Sequence, residues 1–216
     1  MAEINQMGLF DFHGSPTPSA CPDRFANLDE LVSHARNCQR CPLASGRTQV
    51  VIERGNRQAP IMIIGEAPGQ NEDETGLPFV GRAGQLLDKI LASVELTDRD
   101  VYICNVVKCR PPQNRDPAPQ EISACNFYLR EQMRLVNPLI VLLTGKYAMT
   151  TILNIKEGIT KVRGQWYTQD DRWYMPIFHP AYLLRNASRE KGSPKWLMWQ
   201  DIQAVKAKLV ELRGND

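Results

Sequence analysis

Gly65-Glu66-Ala67-Pro68-Gly69-Gln70-Asn71-Glu72-Asp73-Glu74-Thr75-Gly76-Leu77-Pro78-Phe79-Val80-Gly81-Arg82-Ala83-Gly84 separates two apolar segments of different period. Ahead of it, Ile61-Met62-Ile63-Ile64 is a continuous apolar run. Behind it, Gln85-Leu86-Leu87-Asp88-Lys89-Ile90-Leu91 repeats apolar residues at helical spacing. A strand therefore delivers a long Gly- and Pro-rich loop, and a helix carries the chain away. Glycines let backbone amides approach a ligand, and prolines hold the loop stiff. A loop at the carboxyl end of a strand is where α/β proteins place ligands. This one carries a carboxylate pair, Glu72 and Asp73, which has the look of acid–base equipment, and one aromatic residue, Phe79.

The same alternation extends in both directions. Apolar runs predict strands at 50–53, 61–64, 101–106, 139–143 and 173–178. Helical spacing predicts helices from residue 28, with Asn27 as N-cap, and at 84–94, 119–136, 146–153 and 195–212. The strands are short and nearly continuous in hydrophobicity, as expected when helices cover both sheet faces. The predicted fold is α/β, a three-layer α/β/α sandwich on a short, mainly parallel central sheet. No repeat or linker divides 27–216, which is read as one domain. Residues 1–26 are rich in Ser, Pro, Gly and Asp without periodicity and are read as a poorly ordered tail. Within it, Leu9-Phe10-Asp11-Phe12 is an apolar patch that docks either on the domain or on a protein partner.

Of 216 residues, 43% are hydrophobic and 23% charged, the balance of a globular protein with its own core. No apolar run is long enough to cross a bilayer, and no basic start followed by an apolar core marks a secretory signal. A cytoplasmic monomer with no membrane contact is expected. The net charge of +2 demands no polyanionic partner. Its distribution is more suggestive: Lys108, Arg110 and Arg115 crowd one loop, and Arg185, Arg189, Lys191 and Lys195 another. These are two solvated loops or, if they meet, one anion-binding rim.

Six cysteines are present. Cys38 and Cys41 form Cys-x2-Cys, while Cys109 and Cys125 come from a Pro-rich loop and the helix after it. Together they can supply four thiolates to one centre, which suits an iron–sulfur cluster or a structural zinc; a lone Cys-x2-Cys also suits a redox dithiol. Cys104 lies in an apolar strand as a core residue, and Cys21 lies in the tail.

Polar residues stand at two strand ends. Asn105 closes Val101-Tyr102-Ile103-Cys104, where its amide either caps the strand or reads a ligand edge with one donor and one acceptor. His179 follows 173–178 and is fixed by Pro180; it is either a structural hydrogen-bonder or part of the carboxyl-end crevice. Beyond it, Leu183-Leu184-Arg185 either packs inward as the start of a helix or presents an apolar wedge to a base stack.

Taken together, these residues resemble the family 4 uracil-DNA glycosylases. Gly65-Glu66-Ala67-Pro68-Gly69 looks like that family's first motif, followed in register by Glu72-Asp73, Gly76-x-Pro78-Phe79-Val80-Gly81 and Ala83-Gly84. Asn105-Val-Val-Lys-Cys109-Arg-Pro-Pro-x-Asn114-Arg115 is similar to the second segment and His179-Pro180-Ala181 to the last. The resemblance runs from about residue 28 to 210, with separate motifs agreeing in order and spacing.

The resemblance implies a [4Fe–4S] cluster on Cys38, Cys41, Cys109 and Cys125, structural in role. It implies uracil-containing DNA as the substrate, single- or double-stranded, with the base rotated out of the stack. Phe79 then stacks on uracil, Asn105 pairs with its O4/N3 edge, and backbone amides of Gly65, Glu66 and Ala67 add contacts. His179 bonds uracil O2, and Lys108, Arg110, Arg115, Leu184 and Arg185 meet the DNA. Glu66 and Asn114 are the two candidates for orienting the water, because Ala67 stands where the best-known branch of the superfamily has Asp. On that reading Glu72 and Asp73 shape the loop. Glu rather than Leu at position 66 argues against the family 5 enzymes. No basic insertion follows the first motif, which argues against a relative that binds uracil DNA covalently through histidine. The remaining alternatives are an iron–sulfur redox or sensor protein and a non-catalytic module binding nucleotides or damaged DNA.

Overall fold

The computed structural model describes residues 24–214. Six strands form one sheet: β1 (Arg54–Gly55), β2 (Ile61–Gly65), β3 (Val101–Asn105), β4 (Ile140–Thr144), β5 (Tyr167–Gln169) and β6 (Arg172–Ile177). Their order is β1-β3-β2-β4-β6-β5. The four central strands are parallel, and the two edge strands, β1 and β5, run antiparallel to their neighbours.

Every residue of β2, β3 and β4 is buried, so alternate side chains feed two different cores. Met62, Ile64, Tyr102, Cys104, Val141 and Leu143 pack into one layer with α1 (Leu28–Arg36), α4 (Pro119–Val136) and α5 (Lys146–Leu153). Ile61, Ile63, Ile103, Leu142 and Ile177 pack into the other, with α3 (Arg82–Ala92), α7 (Pro180–Arg185) and α8 (Pro194–Arg213). Burying each such aliphatic side chain is worth roughly 1.5–3 kcal/mol. The predicted three-layer sandwich is thus the observed one.

The helices start where local chemistry starts them. The Asn27 side chain accepts from the Glu30 amide at 2.9 Å. Pro119 and Pro194 occupy first turns, where no amide hydrogen is needed. Ser193 caps the Trp196 amide.

Five features differ from expectation. Residues 50–53 form no strand; Val51 and Ile52 are buried by loop packing, and Val51 donates to the Lys108 carbonyl at 2.8 Å. β5 was not predicted. The glycine-rich loop contains its own helix, α2 (Gln70–Thr75), closed by Gly76 in the left-handed region. Phe25, on the tail side of the expected boundary, is 2% exposed and lies beside Tyr128. A short helix, α6 (Ile159–Val162), lies between α5 and β5. Cys21, His13 and Leu9-Phe10-Asp11-Phe12 lie outside the described residues.

The sheet reverses its direction of growth at β2, with β3 on one side and β4 on the other. Ligands bind beyond the carboxyl ends of strands at such a switch point. Glu66, Asn105 and His179 stand at the ends of β2, β3 and β6 respectively.

Candidate active site and cysteine centre

A cavity of about 520 Å³ opens at that switch point. Glu66, Ala67, Phe79, Asn105, Asn114 and His179 line it, together with Arg115 and Arg185 at its rim.

The loop that forms one wall is held by its own carboxylates. Glu72 accepts from the amides of Gly69 (3.1 Å), Val80 (2.9 Å) and Gly81 (2.8 Å). Asp73 is buried and accepts from the Thr48 and Gln49 amides. The pair is therefore occupied in shaping the loop and is not free for acid–base work.

This bracing presents Phe79, which sits in the left-handed region at φ 57°. A non-glycine residue there is strained and persists only where its surroundings impose it. Arg54 donates to the Phe79 carbonyl at 3.1 Å and is paired with Asp88. A Cβ on Gly84 would fall 1.7 Å from the same carbonyl, so only glycine permits this placement. The Phe79 ring lies 5.8 Å from the His179 ring, centroid to centroid.

Asn105 is 1% exposed, and its side-chain oxygen has no hydrogen-bond partner among the described residues. A buried acceptor left open loses about 1–3 kcal/mol until a donor arrives. Gly65 does not line the cavity. It is buried behind Asn105 and Phe79, where an added Cβ would meet the Asn105 oxygen at 2.3 Å and the Phe79 ring at 2.6 Å. Glycine at this position gives both side chains their clearance.

His179 caps α7, its Nδ1 accepting from the Ala181 amide at 3.2 Å. The neutral ring therefore carries its proton on Nε2. Burial, and next the Arg185 guanidinium, push its pKa down to about 4, against the opposing pull of Glu72. The ring is a neutral donor across the physiological range.

Glu66 is partly buried, and burial, followed by the negative charge of Asp116, raises its pKa to about 7. Asp116 itself accepts from the Tyr147 hydroxyl at 2.6 Å. Neither Asp116 nor Tyr147 was singled out in the sequence; both reach this corner from distant segments without a local signal. Asn114 lines the cavity with its oxygen already accepting from Arg110 at 2.7 Å.

The basic rim is smaller than expected. Lys108 is 1% exposed and its ammonium donates to the Asn105 carbonyl at 2.5 Å, so it braces the end of β3 and cannot meet a polyanion. Arg115 pairs with both oxygens of Glu121 while remaining half exposed. Arg185 is exposed at the cavity mouth. In α7 the two leucines divide: Leu183 is buried and Leu184 is 38% exposed.

Cys38, Cys41, Cys109 and Cys125 surround one small cavity between α1 and α4. The Lys108 amide donates to the Cys125 sulfur at 3.3 Å, and Arg47 to the Cys109 sulfur at 3.4 Å. Such donors suit thiolate ligands. Burial pushes the Cys125 thiol up to about 12 and also raises Cys41 and Cys109. Among the described residues no three His, Cys, Asp or Glu side chains meet the geometry of a single bound ion. Cys104 is buried in the core as expected.

The Uracil DNA glycosylase superfamily model matches residues 52–203. The type-4 uracil-DNA glycosylase of Thermotoga maritima is 44% identical over 83% of this chain and 94% of its own length. That of Saccharolobus solfataricus is 42% identical over 85% of this chain and 87% of its own. The type-5 uracil-DNA glycosylase of Pyrobaculum aerophilum is 33% identical over 74% of this chain and 85% of its own.

Proposed function

The chain belongs to the type-4 group of the uracil DNA glycosylase superfamily, and from that premise we propose how its cavity releases uracil from DNA. The protein is a DNA-repair hydrolase of N-glycosyl bonds. Its partner is DNA, and its specific substrate in this reading is 2′-deoxyuridine, rotated out of the stack at a cost of a few kcal/mol.

The observation that carries the reading is the unpartnered oxygen of Asn105 in the cavity wall. Uracil offers a donor at N3 and an acceptor at O4, and a side-chain amide satisfies both. Cytosine presents an amino group at the O4 position and leaves its N3 as a second acceptor, so it mismatches both groups. A site built on a buried polar group rejects the ligand that leaves it unpaired. Phe79 supplies the stacking face.

Bond cleavage leaves a cationic sugar and a uracil anion. His179 donates through Nε2–H to uracil O2 as charge accumulates there, and needs no proton transfer to do so. Glu66, when ionised, orients a water toward C1′ and stabilises the cationic sugar. Asn114 is committed to Arg110 and is the weaker candidate for that water. Arg185 lines the cavity and Leu184, next to it in α7, is exposed, which suits a phosphate contact and a wedge.

Cys38, Cys41, Cys109 and Cys125 would hold a [4Fe–4S] cluster. The donors already aimed at two of the sulfurs, the Lys108 amide on Cys125 and Arg47 on Cys109, suit thiolates held by such a cluster. When bound, the group supplies cross-linking and no redox step: it ties α1 to α4 and to the segment after β3 that carries Arg110, Asn114 and Arg115. Purified protein is expected to contain iron and acid-labile sulfide in a one-to-one ratio; zinc in their place would remove the cluster.

The proposal includes a cytoplasmic monomer, because reduced thiols are needed to assemble such a centre. Incubation with otherwise identical oligonucleotides containing uracil or thymine, followed by alkali, tests the activity. Strand breakage at uracil alone is expected, and no breakage there would overturn it.

A further inference from the structure

A second cavity, of about 350 Å³, lies between α3 and α8. Its floor is apolar, from Ile90, Leu183 and Met198, and its wall is aromatic, from Trp196 and Trp199. Trp199 is 47% exposed, the indole of a large side chain left open to solvent at the edge of a groove. Lys89, Arg189 and Lys195 surround it, and no carboxylate lines it.

The groove and the catalytic cavity share α7 as a border. Leu183 faces the groove, while its neighbours Ala181, Tyr182 and Arg185 line the uracil cavity. Six helical residues rise only about 9 Å, so one short helix is the wall between both spaces. A strand that places one base in the first cavity can reach the groove by passing over this wall.

We propose that the groove is a stacking subsite for an unpaired nucleobase of the same strand, beyond the nucleotides that flank the flipped one. The inference rests on the glycosylase reading for the position of the strand. The chemistry is that of single-strand binding: every base offers a π-face, and cations around an aromatic hold the phosphates on either side. The surrounding charge is positive without a compensating carboxylate in the lining, which favours a polyanion over a second protein helix. The subsite gives the enzyme a hold on single-stranded or locally melted DNA independent of the uracil contacts.

The test separates the subsite from catalysis by measuring affinity for a long uracil-free single strand with the full chain. Trp199→Ala is expected to weaken that affinity roughly tenfold, and Trp199→Phe to restore most of it, because stacking is worth about 1–3 kcal/mol per base. On a uracil trinucleotide, too short to fill both spaces, Trp199→Ala is expected to leave kcat unchanged. Replacing Lys89 and Arg189 together with glutamine is expected to flatten the salt dependence of binding to the long strand. Equal affinities of wild type and Trp199→Ala for the long strand would overturn the subsite, as would a change in sedimentation showing that Trp199 joins two copies. A tenfold loss of affinity in a protein that never cleaves uracil would instead keep the subsite and sink the glycosylase reading.

Discussion

His179→Asn is expected to slow single-turnover uracil release by about a hundredfold to a thousandfold, the usual effect of removing one oxyanion donor, some 2.7–4 kcal/mol. The substitution is chosen because asparagine preserves the other role of the residue. The His179 Nδ1 caps α7 through the Ala181 amide. An asparagine oxygen caps as well, so the helix keeps the roughly 1 kcal/mol that a capping residue supplies. What asparagine lacks is the reach of Nε2 into the cavity. His179→Ala removes both functions, and its extra loss of thermal stability, compared with His179→Asn, measures the cap alone. With its pKa near 4, the ring remains neutral through the assay range. The acid side of the rate profile above pH 5 therefore cannot arise from His179. Rapid-quench measurements with melting curves on both variants decide the matter; a loss below tenfold in His179→Asn would remove the residue from leaving-group stabilisation.

What was legible in the chain follows from range. The parallel strands β2, β3 and β4 were visible because both their faces are buried, leaving apolar runs, and β6 because its last four residues are buried too. Glu66, Asn105 and His179 were visible because a polar residue directly after such a run is positioned by the strand itself. The failures are places where distant segments decide. Residues 50–53 look like a strand, yet their burial comes from packing beside the Lys108 segment, with a single ladder-like bond from Val51. The β5–β6 hairpin turns at Asp170 and Asp171, both in the left-handed region at φ 50° and 60°. No glycine marked that turn, although aspartate tolerates the conformation. Lys108 looked like part of a basic cluster with Arg110 and Arg115, but the chain folds it back beneath the end of β3 to bond the Asn105 carbonyl. Asp116 and Tyr147 meet across 31 residues of sequence, and nothing local to either points toward Glu66.

That corner carries the other large effect. If ionised Glu66 orients the water, cleavage must rise with pH through about 7, the value to which burial and then Asp116 raise it. Glu66→Gln is expected to reduce the rate at pH 8 by about a hundredfold, within the range for loss of a general base, and to abolish that rise. Asp116→Asn removes the second cause of the shift and is expected to move the midpoint toward acid while leaving the plateau in place. Stability must respond in the opposite sense. A carboxyl whose folded pKa lies above its unfolded value favours the folded state fully below pH 4.5, and that contribution is lost as pH rises through 7. Discounted for the partial exposure of Glu66, the loss is about 1–2 kcal/mol. Glu66→Gln, which stays neutral, should therefore melt above wild type at pH 8 and match it near pH 4. Activity and stability thus move apart in one variant, as expected where a carboxylate is held in a partly dry site for its chemistry. A variant that retains the pH-dependent rise shows that another group titrates, and Glu66 then has no part in positioning the water.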